Sequence, residues 1–410
     1  MNDPQTSVPM TRWDIDQYVD HTGNFNISNV NTVRHAAFFQ AHVGECDPDV
    51  IGMGTAEVLA IDPTHRLLTE HAMTALIGGE KYSQAIFPSC SDTISVYVGC
   101  MWQEYEHVVT NVLSIDLGPA LTTGSSLSFL AGRVSFTLNL RGECAAIDTA
   151  CSSSMVAMHF GHESMRTHLA SLVSGVSLML LLDTHAQICQ LGALSPTGRC
   201  KTLDMTADGY GRGEGCVVFV VRALSDLISN VATVMLATHA RCGIAGTAVN
   251  QDGRSSSLTT PNGASQQALL RIAATRANTE RLSSVTIHGT ATPLGDPIEV
   301  AALSAVFCIV SQNGDVTNFP LHIQAPKSVL GHLEGAAGTH AILKTISAMN
   351  AASVSPIAHL RTISTHVVSA FGGETLKVPS ERAAYSLSSS NSSYGVSAFG
   401  MSGVNSHSVI

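Results

Sequence analysis

The sequence is short of charge. Asp, Glu, Lys and Arg make up 13 % of its 410 residues, about half the share of an ordinary soluble domain. Intrinsic disorder is excluded, because disorder needs high charge density with low hydrophobicity, and 45 % of this chain is hydrophobic. Basic residues are the scarcer kind, 21 against 31 acidic ones, which leaves a net charge of −10. With no run of Lys or Arg, nucleic acid is not an expected partner. No apolar stretch approaches the roughly 20 residues of a membrane span. Met1 to Thr11 are polar and lack the apolar core of a signal peptide. Ten Cys occur without a single Cys-x-x-Cys pair, so a thiolate metal site is not expected and a reducing, cytoplasmic compartment is the simpler reading. What remains is a large protein with a big core or a surface that faces another protein.

The length allows two to three domains at about 150 residues each, yet no linker or charge block divides the chain. Ser386 to Ser393 is the one low-complexity stretch, and no solenoid-type repeat is present. Ser95 to Val98, Val217 to Val221, Val285 to Ile287 and Leu321 to Gln324 read as strands, the first three as buried ones. Helices are predicted over Ser152 to Leu169, Ala264 to Ala277, Pro297 to Ile309 and Glu334 to Asn350. The third has a start signal, with Asp296 as N-cap, Pro297 at N1 and Glu299 at N3 closing a capping box. The alternation predicts an α/β fold with a mainly parallel sheet covered on both faces.

Among the ten Cys, Cys151 has a distinctive setting. Asp148-Thr149-Ala150-Cys151-Ser152-Ser153-Ser154 stands between an apolar run and a helical pattern, so the sulfur sits at a turn into a helix. There the helix dipole and free N–H groups favour a thiolate and can cradle an oxyanion. Its collar of small residues lets a bulky group reach the sulfur, whereas the other nine Cys read as structural. Two His also stand apart. His288 follows a strand and precedes the capped helix, while His332 lies in Lys327-Ser328-Val329-Leu330-Gly331-His332, between a strand and a helix with a small face. Strand carboxyl ends are where open α/β sheets place their sites. A thiol beside two neutral imidazoles suits a thioester carbonyl turning into an enolate. Thiol-protease chemistry would want one His and an orienting acid or amide, and fits less well.

Asp208 to Gly215 is glycine-rich but lacks the spacing of a nucleotide loop and precedes a strand, so nucleotide binding is rejected. Val249 to Ser255 reads as a scaffold loop. Phe399-Gly400-Met401-Ser402-Gly403 is a tight turn that could offer a backbone N–H to a second oxyanion position, with Met401 as a movable plug.

Taken together, these segments strongly resemble the β-ketoacyl synthase family, in particular the ketosynthase domains of modular type I polyketide synthases. The resemblance rests on DTACSSS at Asp148, LSPTGRCKTLD at Leu194, ADGYGRGEGC at Ala207, VNQDGRSSSLTTPNG at Val249, HGTATPLGDPIEVAAL at His288, GHLEGAAG at Gly331 and FGMSGVNSH at Phe399. Arg12-Trp13-Asp14 and Asp62 to Leu68 look like the family's early motifs. The resemblance implies a thiolase-like fold of two related halves, 1–240 and 241–410, in αβαβα layers and normally dimeric. It implies Cys151 as acyl-accepting nucleophile, with His288 and His332 assisting decarboxylation and stabilising the enolate. Lys327 and Glu334 would tune the site, and the backbone at Cys151 and Met401 would form the oxyanion hole. Thr290 and Thr292 would hold the pantetheine arm of an acyl carrier protein, beside Phe399, Gly400 and Met401. The implied reaction is a decarboxylative Claisen condensation without metal or redox cofactor.

Departures from the family pattern are Val329 for Asn, Ala291 for Gly, Val404 for Thr and Ser406 for Ala, and no aromatic falls between Leu181 and Leu191. The first strand expected ahead of Arg12 is missing. A non-catalytic dimerisation or acyl-binding scaffold, a stand-alone fatty-acid synthase component and a thiolase-type enzyme remain alternatives. Because carrier proteins are usually acidic, docking calls for a local basic patch, with Arg199, Lys201 and Arg212 as possible members.

Overall fold

A computed structural model describes residues 6–7, 9, 12, 34–39, 43–77, 94–115, 117–223, 232–235, 241–308, 321–371, 376–379, 383–384 and 392–410. Against the expectation that no strand precedes Arg12, Thr6–Ser7 form a short strand paired antiparallel with His35–Ala36, too brief and polar to show as an apolar run. Trp13, Asp14 and most of Ser386 to Ser393 lie outside the described residues.

Alternation along the strands builds the molecule in layers. The first sheet comprises β1 (Ile94–Gly99), β2 (Cys144–Ile147), β3 (Ala170–Ser177), β4 (Gly215–Ala223), β5 (Ala232–Met235) and β6 (Arg241–Ile244), in the spatial order β2-β1-β3-β4-β5-β6. Ile94, Val96 and Val98 point outward with Leu172, Val176 and Leu130. Tyr97, Val173, Phe219 and Val221 point to the molecular centre. Both faces of these strands are covered, which is why SVYV and VVFVV read as unbroken apolar runs.

The second sheet comprises β7 (Gly246–Gln251), β8 (Ser284–Thr286), β9 (Leu321–Gln324), β10 (Leu376–Lys377), β11 (Tyr394–Phe399) and β12 (Val404–Val409), in the order β10-β9-β8-β11-β12-β7. Only Ala245 separates the last strand of one sheet from the first of the other. The expectation of mainly parallel sheets needs correction. The pairs β1–β2 and β1–β3, and β8 with β9 and β11, are parallel, whereas β3–β4–β5–β6 and β11–β12–β7 are antiparallel. A strand buried on both faces has the same composition in either orientation, so periodicity could not separate the two.

Helices α1 (Pro63–Ile77) and α2 (Leu127–Thr137) contribute Leu68, Ala72, Leu130 and Val134 to the core outside the first sheet. On the far side of the second sheet, α5 (Gly263–Arg276), α6 (Gly295–Phe307) and α8 (Thr365–Phe371) supply Leu269, Leu270, Val300, Leu303 and Val367. Between the sheets lie α3 (Ser153–Ser164) and α7 (Ala337–Asn350), whose Met155, Met158, Ile342 and Ile346 meet Val173 and Phe219 from one sheet and Val396 and Ala398 from the other. The result is the expected αβαβα stack. A remaining helix, α4 (Leu182–Gln190), ends beside the site described below. No helix among the described residues is long and apolar enough to cross a membrane.

The predicted helix over Ser152 to Leu169 stops at Ser164, because the chain must turn to enter β3 at Ala170. The stretch Glu334 to Asn350 splits into a single 3-10 turn and α7. The capping box at Asp296 is not formed. Helix α6 starts at Gly295, and Asp296 and Glu299 spend their carboxylates on other backbone groups.

Candidate active site

Cys151 stands where β2 has ended and α3 is about to begin, on a tightly folded turn. Ala150 takes a left-handed backbone (φ 59°), stabilised by Asp148 Oδ1, which accepts its N–H at 2.9 Å. Each serine after Cys151 has a structural partner. Ser152 Oγ donates to the Thr149 carbonyl at 2.9 Å, and Ser153 Oγ accepts from Thr149 N–H at 2.9 Å. Ser154 Oγ accepts from the N–H groups of Gly338 and Thr339 at 3.1 and 3.2 Å, joining the first turns of the two central helices. The collar therefore locks the turn as well as keeping it slim. Gly99 at the end of β1 is part of the same packing, since a Cβ there would fall on the Ser154 backbone nitrogen.

The Cys151 thiol is buried, and burial pushes its pKa up to about 12, with the Glu334 carboxylate adding to the rise. Lys327 and the N–H groups of Met401 and of Cys151 itself act the other way. Against the expectation of a thiolate, desolvation wins over the helix terminus and the resting sulfur is a thiol. The two N–H groups directed at it are the pair expected to form an oxyanion hole.

His288 directly follows the short strand β8, and two carboxylates from α6 hold its loop. Glu299 accepts the N–H groups of His288 and Gly289 at 2.7 and 2.9 Å. Asp296 accepts those of Ala291 and Leu203 at 3.1 and 2.8 Å. Lys327 Nζ donates to the His288 carbonyl at 2.5 Å and lies 3.4 Å from His288 Nδ1. Nδ1 thus faces a donor, which puts the imidazole proton on Nε2. Burial, Lys327 and His332 hold the His288 pKa well below its ordinary value.

His332 is clasped by the segment 211–213. Its N–H donates to Gly211 O at 2.7 Å, and its carbonyl accepts from Gly213 N–H at 2.9 Å. Its Nδ1 accepts the Glu334 N–H at 3.1 Å, so the proton again resides on Nε2, which has no partner among the described residues. Burial, then Lys327 and Arg212, depress its pKa well below the ordinary value. The two imidazoles meet edge to face, 5.5 Å between centroids. Phe399 and Tyr210 fix the outer faces of His288 and His332 at 5.6 and 4.8 Å.

Behind His332 lies a buried ion cluster that the sequence reading missed. Arg212 forks onto Glu334 with two bonds of 2.8 Å, Trp102 Nε1 donates to the same carboxylate at 2.7 Å, and Glu104 stands 3.7 Å from the guanidinium. Glu334 therefore touches His332 through its backbone N–H, while its carboxylate serves Arg212. Arg212 is fully buried and drops out of any docking patch. A glycine-rich surrounding gives no signal that an Arg points inward. Lys201 is paired with Asp208 at 2.6 Å. The roles of Asp296 and Glu299 were hidden because Asp-Pro-x-Glu has the same spacing as a helix start.

One cavity of about 370 Å³ joins these parts. Cys151, His288, His332, Thr290, Thr292, Phe399, Gly400 and Met401 all line it. Lys327 and Glu334 stand behind the imidazoles instead, and Val329 does not reach it. Ile188 and Leu191, from α4 and the residue after it, supply an aliphatic wall where the family pattern has an aromatic.

A buried thiol, two neutral imidazoles and two convergent backbone N–H groups thus meet at one cavity of a thiolase-like fold. Two family models match the chain, the β-ketoacyl synthase N-terminal domain over residues 2–227 and the β-ketoacyl synthase C-terminal domain over residues 241–361. The chain belongs to the β-ketoacyl synthase family. Among its relatives are two different polypeptides of the phenolphthiocerol/phthiocerol polyketide synthase of Mycobacterium tuberculosis. One is 36 % identical over 98 % of this chain and 18 % of that protein. The other is 37 % identical over 92 % of the chain and 20 % of its own length. The chain thus spans about a fifth of the length of these curated relatives. The ketosynthase from module 6 of the bacillaene synthase of Bacillus subtilis 168 superposes with a TM-score of 0.82 at 28 % identity, covering 100 % of this chain and 66 % of that one. An oxazolomycin ketosynthase domain from Streptomyces albus JA3453 gives 0.83 at 25 %, covering 100 % and 69 %.

Proposed function

We propose that the chain acts as a ketosynthase that joins an acyl group held on Cys151 to a malonyl-type extender by decarboxylative Claisen condensation. The observation that carries this reading is Nε2 of His332, which meets no hydrogen-bond partner among the described residues, at the cavity that His332 lines together with Cys151 and His288. The Cys151 sulfur first attacks an acyl thioester, and its proton leaves with the departing pantetheine thiol. The extender thioester then enters with its carbonyl oxygen toward Nε2 of His288 and His332. Carbon dioxide departs, the bonding pair flows into an enolate, and the two N–H donors stabilise its oxygen. Neutral imidazoles suit this step because they donate without protonating the enolate. The enolate carbon attacks the Cys151 thioester. The resulting oxyanion is held by the N–H groups of Cys151 and Met401 until the sulfur leaves as a thiolate, which takes a proton from water to restore the resting thiol.

Lys327 acts from behind to keep both imidazoles neutral, and the Glu334 N–H orients His332. Thr290 and Thr292 hold the pantetheine arm of an acyl carrier protein, which brings the only prosthetic group the scheme uses. The working halves are 1–240, with the nucleophile, and 241–410, with both His. A homodimer is supported by β2, an edge strand with no outer neighbour among the described residues. The ten Cys include no Cys-x-x-Cys pair, which favours the cytoplasm.

The two steps separate by mutation. Cys151→Ala is expected to abolish acyl transfer yet still release carbon dioxide from malonyl-pantetheine, whereas His332→Ala suppresses that release at least 100-fold. Elongation by the Cys151 variant would overturn the scheme.

A further inference from the structure

Gln266 is a buried residue in the first turn of α5 whose side-chain oxygen meets no hydrogen-bond partner among the described residues. Buried amides are almost always paired, and an unpaired one costs stability comparable to a lost hydrogen bond. The helix start does not use it, since Asn262 already caps the N–H groups of Ala264 and Ser265. Instead Gln266 lines the cavity that holds Cys151.

The cavity lining includes an apolar group, with Ile188 and Tyr210 packed in one cluster and Leu191 close to Ile188 in sequence, and a polar group of Asp252, Thr260 and Gln266. The surroundings of Asp252 are a built unit. The Asp252 carbonyl accepts from Asn262 Nδ2 at 2.8 Å and from Ser265 Oγ at 3.2 Å, and its carboxylate accepts from Asn405 Nδ2 at 2.7 Å. An acyl chain suits the apolar group. The polar group suits a ligand segment with its own hydrogen-bonding atoms.

Building on the ketosynthase reading above, we propose that Gln266 is a binding residue for the carrier arm, its Oε1 accepting an N–H from one of the two secondary amides of pantetheine. Every thioester the enzyme handles brings those amides, whatever its acyl chain. The resting enzyme leaves Gln266 unpaired, and substrate supplies the partner.

The test compares acylation of Cys151 by an acyl-pantetheine with acylation by the S-propyl thioester of the same acid, which has no amide. Wild-type protein is expected to prefer the pantetheine thioester. In Gln266→Met, close in shape but without the amide, the ratio of the two kcat/KM values is expected to fall about ten-fold. The thermal midpoint of the free protein is expected to hold or rise, because an unpaired amide has been removed. A ratio within about two-fold of wild type overturns the assignment, as does wild-type protein that shows no preference. If Gln266→Met does not fold, Gln266→Asn withdraws the amide by one carbon and reads the same ratio. Failure of both thioesters to acylate wild-type Cys151 overturns the ketosynthase reading itself, and this assignment with it.

Discussion

Arg212 carries its charge where no solvent reaches it, and burial alone would favour losing it. Glu334 and Glu104 raise its pKa instead, so it remains a guanidinium. Through Glu334, whose N–H fixes the tautomer of His332, it acts as a positioning residue rather than a catalytic one. Arg212→Met leaves two buried carboxylates without a counter-charge and is expected to cost about 3–5 kcal/mol in urea unfolding. The sequence made Cys151, His288 and His332 legible through their positions at strand ends, but a buried Arg and a surface Arg look alike in it. Ala291 shows a departure that the fold tolerates. It holds φ 58° with its methyl buried, a backbone strain of about 1 kcal/mol. Burial of that methyl returns about 0.8 kcal/mol, which offsets most of it.

At the scale of elements, four strand ends converge: β2 delivers Cys151, β8 delivers His288, β9 leads to Lys327 and His332, and β11 runs into Phe399 and Met401. The strand endings were readable because apolar runs give way to Gly-rich turns. The orientation of half the strands was not, since double coverage erases the distinction. Nor was the work of Asp296 and Glu299, which brace the His288 loop from a helix that starts without a side-chain cap. The β11–β12 turn fits closely against the nucleophile turn, where a Cβ on Gly400 would collide with the Thr149 carbonyl. Gly400→Ala is therefore expected to move the Met401 N–H away from Cys151. Loss of one oxyanion donor predicts a 100- to 1,000-fold fall in the condensation rate, measured by product formation from pre-acylated enzyme.

For the whole molecule, the scarcity of charge follows from its layering, because two sheets covered on both faces and a helical layer between them require much apolar sequence. Histidine fills part of that interior. Burial drives the pKa of His65 and His407 down to about 3 and that of His340 to about 4. Their unfolded values lie near 6.5, so as pH falls the unfolded chain binds protons that the folded one refuses. Stability is lost below pH 6.5, by about 2 kcal/mol per imidazole at pH 5, with His288 and His332 acting in the same direction. Asp62 and Asp296, pushed up to about 6 by burial, and Glu299, pushed up to about 7, oppose this by about 1–2 kcal/mol each, because the folded state takes up their protons first. The imidazoles are more numerous and win, so the urea midpoint is expected to drop between pH 7 and pH 5. The central claim concerns the thiol at the centre of these layers, and peptide mass spectrometry after exposure to an acyl-pantetheine reads it directly. The account predicts a single acyl adduct on Cys151 that disappears when malonyl-pantetheine is added, with release of carbon dioxide and a product two carbons longer. An adduct on another residue, or one on Cys151 that the extender does not discharge, would contradict it.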